Sequence, residues 1–199
     1  MRKLSKVLAL VLMLVLAIGA FSACGSQTEE LSGIWKVEME IEGYGIIRME
    51  LNADVAPITV TNFVGLVESG FYDGLTIHRV YPGFVIQGGD PRGDGTGGSG
   101  KKITGEFMAN GISNRLSHTR GAVSMARLGN DNNSATSQFF IVHDDAAVDS
   151  LDGYYACFGY VTEGMEVVDA ICANTPTLDR NGSVAPEYQP VITYAKVID

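Results

Sequence analysis

Histidine and cysteine are scarce in this chain, with three of each in 199 residues. His78, His118 and His143 are scattered without metal-ligand spacing, so no metal is expected. Asp144-Asp145 and the stretch from Asn130 to Ser134 lack the acidic order of a calcium loop. Positive charge is also in short supply: 14 Lys and Arg stand against 23 Asp and Glu, a net charge of −9. That balance argues against nucleic acid, whose binding rests on cations neutralising phosphate. One glycine-rich run, from Gly95 to Lys101, imitates a phosphate loop, yet it continues with Lys102 where Ser or Thr would be needed for a metal ion. The triplet Arg92-Gly93-Asp94 spells an adhesion signal, and such triplets arise by chance.

Long apolar runs are represented by Val7 to Ile18, which follows Arg2, Lys3 and Lys6 and precedes the small residues Gly19, Ala20, Ser22 and Ala23. A charged, then apolar, then small-residue order reads as an export signal over residues 1–23. The apolar part is short for a bilayer span, which takes about 20 residues. Phe21-Ser22-Ala23-Cys24 resembles a bacterial lipoprotein box, with Phe21 in the place usually held by Leu. The resemblance implies lipidation of Cys24 and anchoring at the outer side of the cytoplasmic membrane or in the cell envelope; an ordinary cleaved signal or a retained anchor are the alternatives. Loss of residues 1–23 removes three positive and no negative charges, leaving 11 cations against 23 anions, a net charge of −12. A lipid would then have to supply the membrane attachment. Residues 24–33 form a polar tether and residues 34–199 one domain. Cys157 and Cys172 read as two small buried hydrophobes, with a disulfide permitted by export.

The 24 glycines and the 9% aromatic content suit a turn-rich β protein. Trp35, Val37, Met39 and Ile41 alternate with charged residues, as do Ile47, Met49 and Leu51 after the Gly43–Gly45 turn, which predicts a hairpin. Pro57 opens a helix whose Val60, Phe63, Val64 and Val67 recur at helical spacing up to Gly70. Strands are expected over 75–80, 84–88, 121–125, 138–143, 154–160 and 191–197, and a second helix over 163–173. Residues 90–120 have no clean period, and a loop that long is functional or mobile as a rule. Two of the strands carry polar residues among apolar ones: Arg79 and Gln87 near Val85, and Gln138 near Phe140 and Val142. An apolar surface with a few placed polar groups is the composition of a binding groove.

Six blocks occur in order: His78-Arg79-Val80 through Pro82-Gly83-Phe84-Val85 to Gln87-Gly88-Gly89-Asp90; Gly95-Thr96-Gly97-Gly98; Ser124-Met125-Ala126; Ser137-Gln138-Phe139-Phe140-Ile141; Leu151-Asp152-Gly153; and Phe158-Gly159. The set resembles the cyclophilin family of peptidyl-prolyl cis/trans isomerases from about residue 34 to the C-terminus. The resemblance implies a mainly β fold, a closed eight-stranded antiparallel barrel capped by two α-helices. It also implies an enzyme without cofactor that acts on proline-containing polypeptides. By resemblance, Arg79, Gln87 and Phe84 carry catalysis. Val85, Gly95, Ala126, Arg127, Leu128, Gln138, Phe140, Leu151 and Tyr155 bind substrate. Ser150 stands where many members have Trp, which implies weakened cyclosporin binding. His78, opposite Arg79 on its strand, is expected to be a hydrogen-bonded packing residue.

The chemistry suits such a residue set. The barrier is rotation about a C–N bond of partial double-bond character, about 18–20 kcal/mol. No covalent bond breaks, so neither nucleophile nor metal is needed. A permanent cation beside an apolar proline pocket can donate to the imide nitrogen as it becomes pyramidal, an interaction stronger in the transition state than in the ground state. The rival reading is a non-catalytic proline-peptide binding module at the cell surface that uses the same groove. It has no need for a donor such as Arg79.

Overall fold

Alternation of apolar and polar residues decides which side of each strand turns inward. The structure, a computed structural model, describes residues 29–199; the export signal and Cys24 lie outside them. Strand β1 (Ile34–Ile41) pairs antiparallel with β2 (Gly45–Asn52), and the register sets Val37 against Met49 and Met39 against Ile47. All four side chains are buried, so one face of the hairpin becomes barrel interior.

After helix α1 (Pro57–Glu68) come β3 (Thr76–Tyr81), β4 (Val85–Asp90), β5 (Ala122–Met125) and β6 (Phe139–Val142). A single-turn helix α2 (Val148–Leu151), strand β7 (Cys157–Glu163), helix α3 (Met165–Asn174) and β8 (Ile192–Ile198) complete the chain. The strands form one antiparallel sheet in the order β3-β4-β6-β5-β7-β2-β1-β8. It curls until its two edges touch at a single bridge, Thr76 to Val191, where the Ile77 amide donates to Pro190 and the Ile192 amide to Leu75. The expected closed barrel is thus held shut by a narrow seam rather than a full ladder. Strand β7 and helix α3 begin two to three residues later than their periodicity suggested. The turn at Asp152-Gly153-Tyr154 delays the strand, and Gly164, with φ of +93°, starts the helix.

Helix α1 packs Val60, Phe63, Val64 and Val67 into the barrel, as the spacing predicted. Pro57 occupies its first turn, where a missing N–H costs nothing. The amides of Ile58 and Thr59 are taken by the buried Glu106 carboxylate, at 3.1 and 2.8 Å, and the Thr59 hydroxyl donates to it at 2.6 Å. A carboxylate at a helix N-terminus satisfies orphan donors and meets the positive end of the helix dipole. Glu106 belongs to the 90–120 stretch, so this long loop is bolted to the barrel cap.

Phe63 lies 5.0–5.5 Å, ring centre to ring centre, from Tyr72, Phe158 and Phe139. Cys157 and Cys172 are buried unpaired thiols, and burial pushes them up to about 12 and about 11, so both stay protonated. The expectation of two small hydrophobes holds, and no bridge joins them.

Phe63→Ala is expected to lower the unfolding free energy by about 3–5 kcal/mol in urea titrations, the usual cost of an emptied aromatic site. A loss below about 1 kcal/mol would mean that the surrounding rings close over the gap. Glu38 gives a second test. Its buried carboxylate accepts from Lys196, Tyr194 and Arg48, each at 2.9 Å, and these bonds hold its pKa down at about 2. A depressed carboxyl stabilises the fold fully above its unfolded value near 4.5 and loses that contribution as pH falls through about 2. Unfolding free energy should therefore decline from about pH 4.5 to 2, with a shallower decline in Glu38→Gln.

Candidate active site

The central row of the site is a consequence of strand register. Arg79 in β3 pairs with Gln87 in β4, Gln87 with Phe140 in β6, and Phe140 with Ser124 in β5. Directly paired residues share a face, so these four side chains form a line across the outside of the barrel. Two residues along β4 and β6, Val85 pairs with Val142 on the same face. Sequence alone gave each strand a mixed face; the pairing merges the two faces into one surface.

That surface has its own small core. Val85, Ala122, Phe140, Val142, Ala147, Leu151 and Cys157 are buried together, apart from the barrel interior, with Phe84, Ala126 and Tyr155 packed at the edge. Over them opens a cavity of about 150 Å³ lined by Arg79, Phe84, Val85, Gln87, Ala126, Arg127, Phe140, Leu151 and Tyr155. Gly95, Leu128 and Gln138 line an adjoining cavity of about 620 Å³. Every site residue expected within the domain thus lies on one of two contiguous hollows. Tyr155 meets the Phe140 ring edge-on at 5.7 Å, and the Arg79 guanidinium lies 5.8 Å from the Phe84 ring centre.

A hydrogen-bond relay fixes the polar groups. Arg79 Nη1 donates to Gln87 Oε1 at 3.3 Å, Gln87 Nε2 to Gln138 Oε1 at 2.8 Å, and Gln138 Nε2 to the carbonyls of Gly95 and Gly97 at 3.0 and 2.8 Å. Each amide thereby has its oxygen turned toward Arg79 and its nitrogen toward the loop. Arg79 Nε donates to the carbonyl of Asn181 at 2.7 Å. Asn181 sits in a turn closed by Asp179, whose carboxylate accepts from the amides of Asn181 and Ser183 and from the Ser183 hydroxyl. The Ser183 bonds hold the Asp179 carboxyl below its ordinary value.

Glycine is required where the loop crosses the sheet edge. A Cβ at Gly97 would strike the carboxylate of Asp90, and one at Gly98 the hydroxyl of Thr136. Asp90 is buried and accepts from the amides of Arg92, Asp94 and Gly95. The glycine run is therefore a close-packed strap over Asp90, and its likeness to a phosphate loop is accidental.

Two histidines lie behind the site. His118 is buried, bonded through Nδ1 to Asp152 at 2.7 Å and through Nε2 to Ser124 at 3.0 Å, and its ring stacks on Phe140 at 6.0 Å. Burial pushes its pKa below the ordinary value despite Asp152. Burial also penalises the Asp152 carboxylate, but bonds from Ser117 and His118 outweigh that and keep it low. His78 corrects an expectation. It is buried, but its Nδ1 has no hydrogen-bond partner, so the ring packs without bonding there. Burial lowers its pKa and favours the neutral ring, which makes that position tolerable.

Comparison with known proteins agrees with this geometry. The family described as cyclophilin type peptidyl-prolyl cis-trans isomerase/CLD matches residues 36–197. Peptidyl-prolyl cis-trans isomerase B of Bacillus subtilis is 50% identical over 120 residues, covering 60% of this chain and 78% of that protein. The peptidyl-prolyl cis-trans isomerase of Helicobacter pylori is 46% identical over 129 residues, covering 64% and 74%. The crystal structure of a Cryptosporidium parvum cyclophilin type peptidyl-prolyl cis-trans isomerase superposes with a TM-score of 0.73 at 30% identity, covering 84% of this chain and 99% of that one. A second crystal structure of that protein, in the presence of the dipeptide Ala-Pro, gives a TM-score of 0.71 at 30% identity, covering 82% and 99%. The chain belongs to the cyclophilin-type peptidyl-prolyl cis/trans isomerases. It is an enzyme of that activity, and the non-catalytic alternative falls away.

Sequence reasoning assigned no role to Asp179, Asn181 or His118. Asn181 works through its carbonyl, which no side-chain pattern announces. The Asp179-to-Ser183 spacing of an Asx-type turn was the available sign. Asp179→Ala should speed amide hydrogen exchange at Asn181 and Ser183 while the barrel strands stay protected. Unchanged exchange would mean that other bonds hold the turn.

Proposed function

We propose that the smaller cavity seats the proline ring and that Arg79 lowers the rotation barrier by donating to the imide nitrogen as it pyramidalises. The observation that carries this is the placement of a guanidinium, tethered by Asn181 and Gln87, on the rim of a hollow floored by the apolar side chains of Val85, Phe140 and Leu151. Tethering lowers the reorganisation needed when charge shifts, and such preorganised donors supply most of the stabilisation in comparable sites. Gln87 holds a substrate carbonyl on one side. Gln138, with the backbone of Ala126 and Arg127, holds the adjoining peptide. The Ala-Pro dipeptide used with the Cryptosporidium protein supports a proline-containing ligand here.

Residues 1–23 act as the export signal and Cys24 as the lipid-carrying residue, which puts the domain on the outer side of the cytoplasmic membrane or in the envelope. Among the described residues no helix is long and apolar enough to cross a membrane, and the lipid serves as anchor. There the enzyme assists folding of exported proteins, for which slow proline exchange can limit the rate. Ser150 is exposed on α2, donates to the Ala147 carbonyl and lies off the cavity wall, which supports weak cyclosporin binding.

Prolyl exchange in an Ala-Pro peptide, followed by NMR, tests the catalytic part. Arg79→Ala should reduce kcat/KM by about 10²–10³-fold, the scale of losing one preorganised donor, with the fold intact. A loss under threefold would remove Arg79 from the mechanism. Labelling growing cells with a radioactive fatty acid tests the anchor: Cys24→Ala should abolish incorporation, and an unlabelled native protein would refute lipidation.

A further inference from the structure

The larger cavity is unusual for so acidic a chain. It shares Gln87, Ala126 and Arg127 with the proline cavity, so a peptide seated in one runs into the other. Arg92, Lys102 and Arg127 line it, and no carboxylate does.

Two of those three cations, Arg92 and Arg127, make no salt bridge among the described residues, although the charge of Arg92 acts on the nearby Asp94 carboxylate. Arg92 Nη1 donates to the Thr96 hydroxyl at 3.3 Å and makes no ion pair. Arg127 is held by the carbonyls of Tyr154, Leu128 and Gly129 and lies over the rings of Tyr155 and Phe107, at 4.8 and 5.1 Å. These contacts fix its position and leave its charge uncompensated. Lys102 pairs at 2.9 Å with Asp131, an exposed bridge of small energetic worth that a competing carboxylate can share. Asp90 is committed to the three loop amides, whereas Asp94 accepts from the amide and hydroxyl of Thr96 and through that hydroxyl also faces Arg92.

We infer that this cavity is a specificity subsite for an acidic side chain, Asp or Glu, within two or three residues of the substrate proline. The inference rests on the proline ring occupying the smaller cavity. The spacing follows from the shared wall, since an extended peptide advances about 3.3–3.6 Å per residue. The unpaired Arg127 guanidinium, with Arg92 shared with Asp94 and Lys102 shared with Asp131, attracts a carboxylate, while a lysine at the same position meets three like charges. Elsewhere the negative surface repels acidic peptides, so the subsite selects among them by position rather than by total charge.

The test is the kcat/KM of the full-length protein on proline pentapeptides in which Glu, Gln, Lys or Ala is moved through each flanking position. At one position Glu should exceed Gln by about five- to tenfold at low ionic strength, Lys should fall below Gln, and the ratio should shrink in about 0.5 M salt. In a protein carrying Arg92→Gln and Lys102→Gln, the Glu to Gln ratio, read against the all-Ala peptide in the same variant, should fall to near one. Equal rates for Glu, Gln and Lys at every position, with the all-Ala peptide turned over, would overturn the subsite and leave the isomerase site standing. A Glu preference that survives the double substitution would overturn its assignment to this cavity. Absence of turnover for every peptide would remove the proline site and the subsite together.

Discussion

The relay from Arg79 through Gln87 and Gln138 to the Gly95 and Gly97 carbonyls is the constraint on which the site depends. Two amide side chains have only two orientations each, and the fixed donors and acceptors at the ends choose one for both. Arg79 must donate at one end, and the loop carbonyls must accept at the other. The glycine strap therefore acts on the cation from across two strands. Its own position is set by Asp90 beneath it and by the exclusion of any Cβ at Gly97.

The barrel supports this row without taking part in it. Its interior packs Phe63, Tyr72, Phe139 and Phe158, whereas Phe140, the next residue after Phe139, points outward to the second cluster. One strand thus serves two hydrophobic surfaces, because successive side chains leave a sheet on opposite sides. A one-residue slip in β6 would exchange Phe139 for Phe140 and destroy core and groove at once, so both surfaces enforce the register. His118 and Asp152 brace Phe140 from behind, a polar support hidden beneath an apolar floor.

Charge is distributed in a way that the net figure conceals. The negative excess argues against a nucleic-acid partner, and the export reading adds to it. Yet three cations gather around one cavity beside the proline hollow, each held by local bonds. Net charge governs solubility and long-range steering; it is silent on what a single concave site attracts.

Much of this was legible in the sequence. Alternation in β1 and β2, the Val60-Phe63-Val64-Val67 stripe and Pro57 specify their elements by local rules of period and backbone freedom. The motif blocks then identify the family and, with it, the residues on both hollows. Other features were decided by tertiary structure alone, because they join residues far apart in the chain. The narrow seam between Thr76 and Val191, the capping of α1 by Glu106 and the tether of Arg79 by Asn181 span 115, 48 and 102 positions. The Asn181 role also runs through a backbone carbonyl, which every residue possesses and no sequence pattern distinguishes, and the Asp90 carboxylate is taken up by backbone amides of the loop. His78 shows the converse: its burial was readable from alternation, but whether a polar atom finds a partner depends on how the surrounding loops pack. Local chemistry determined the strands and helices, and only long-range packing determined which polar groups meet.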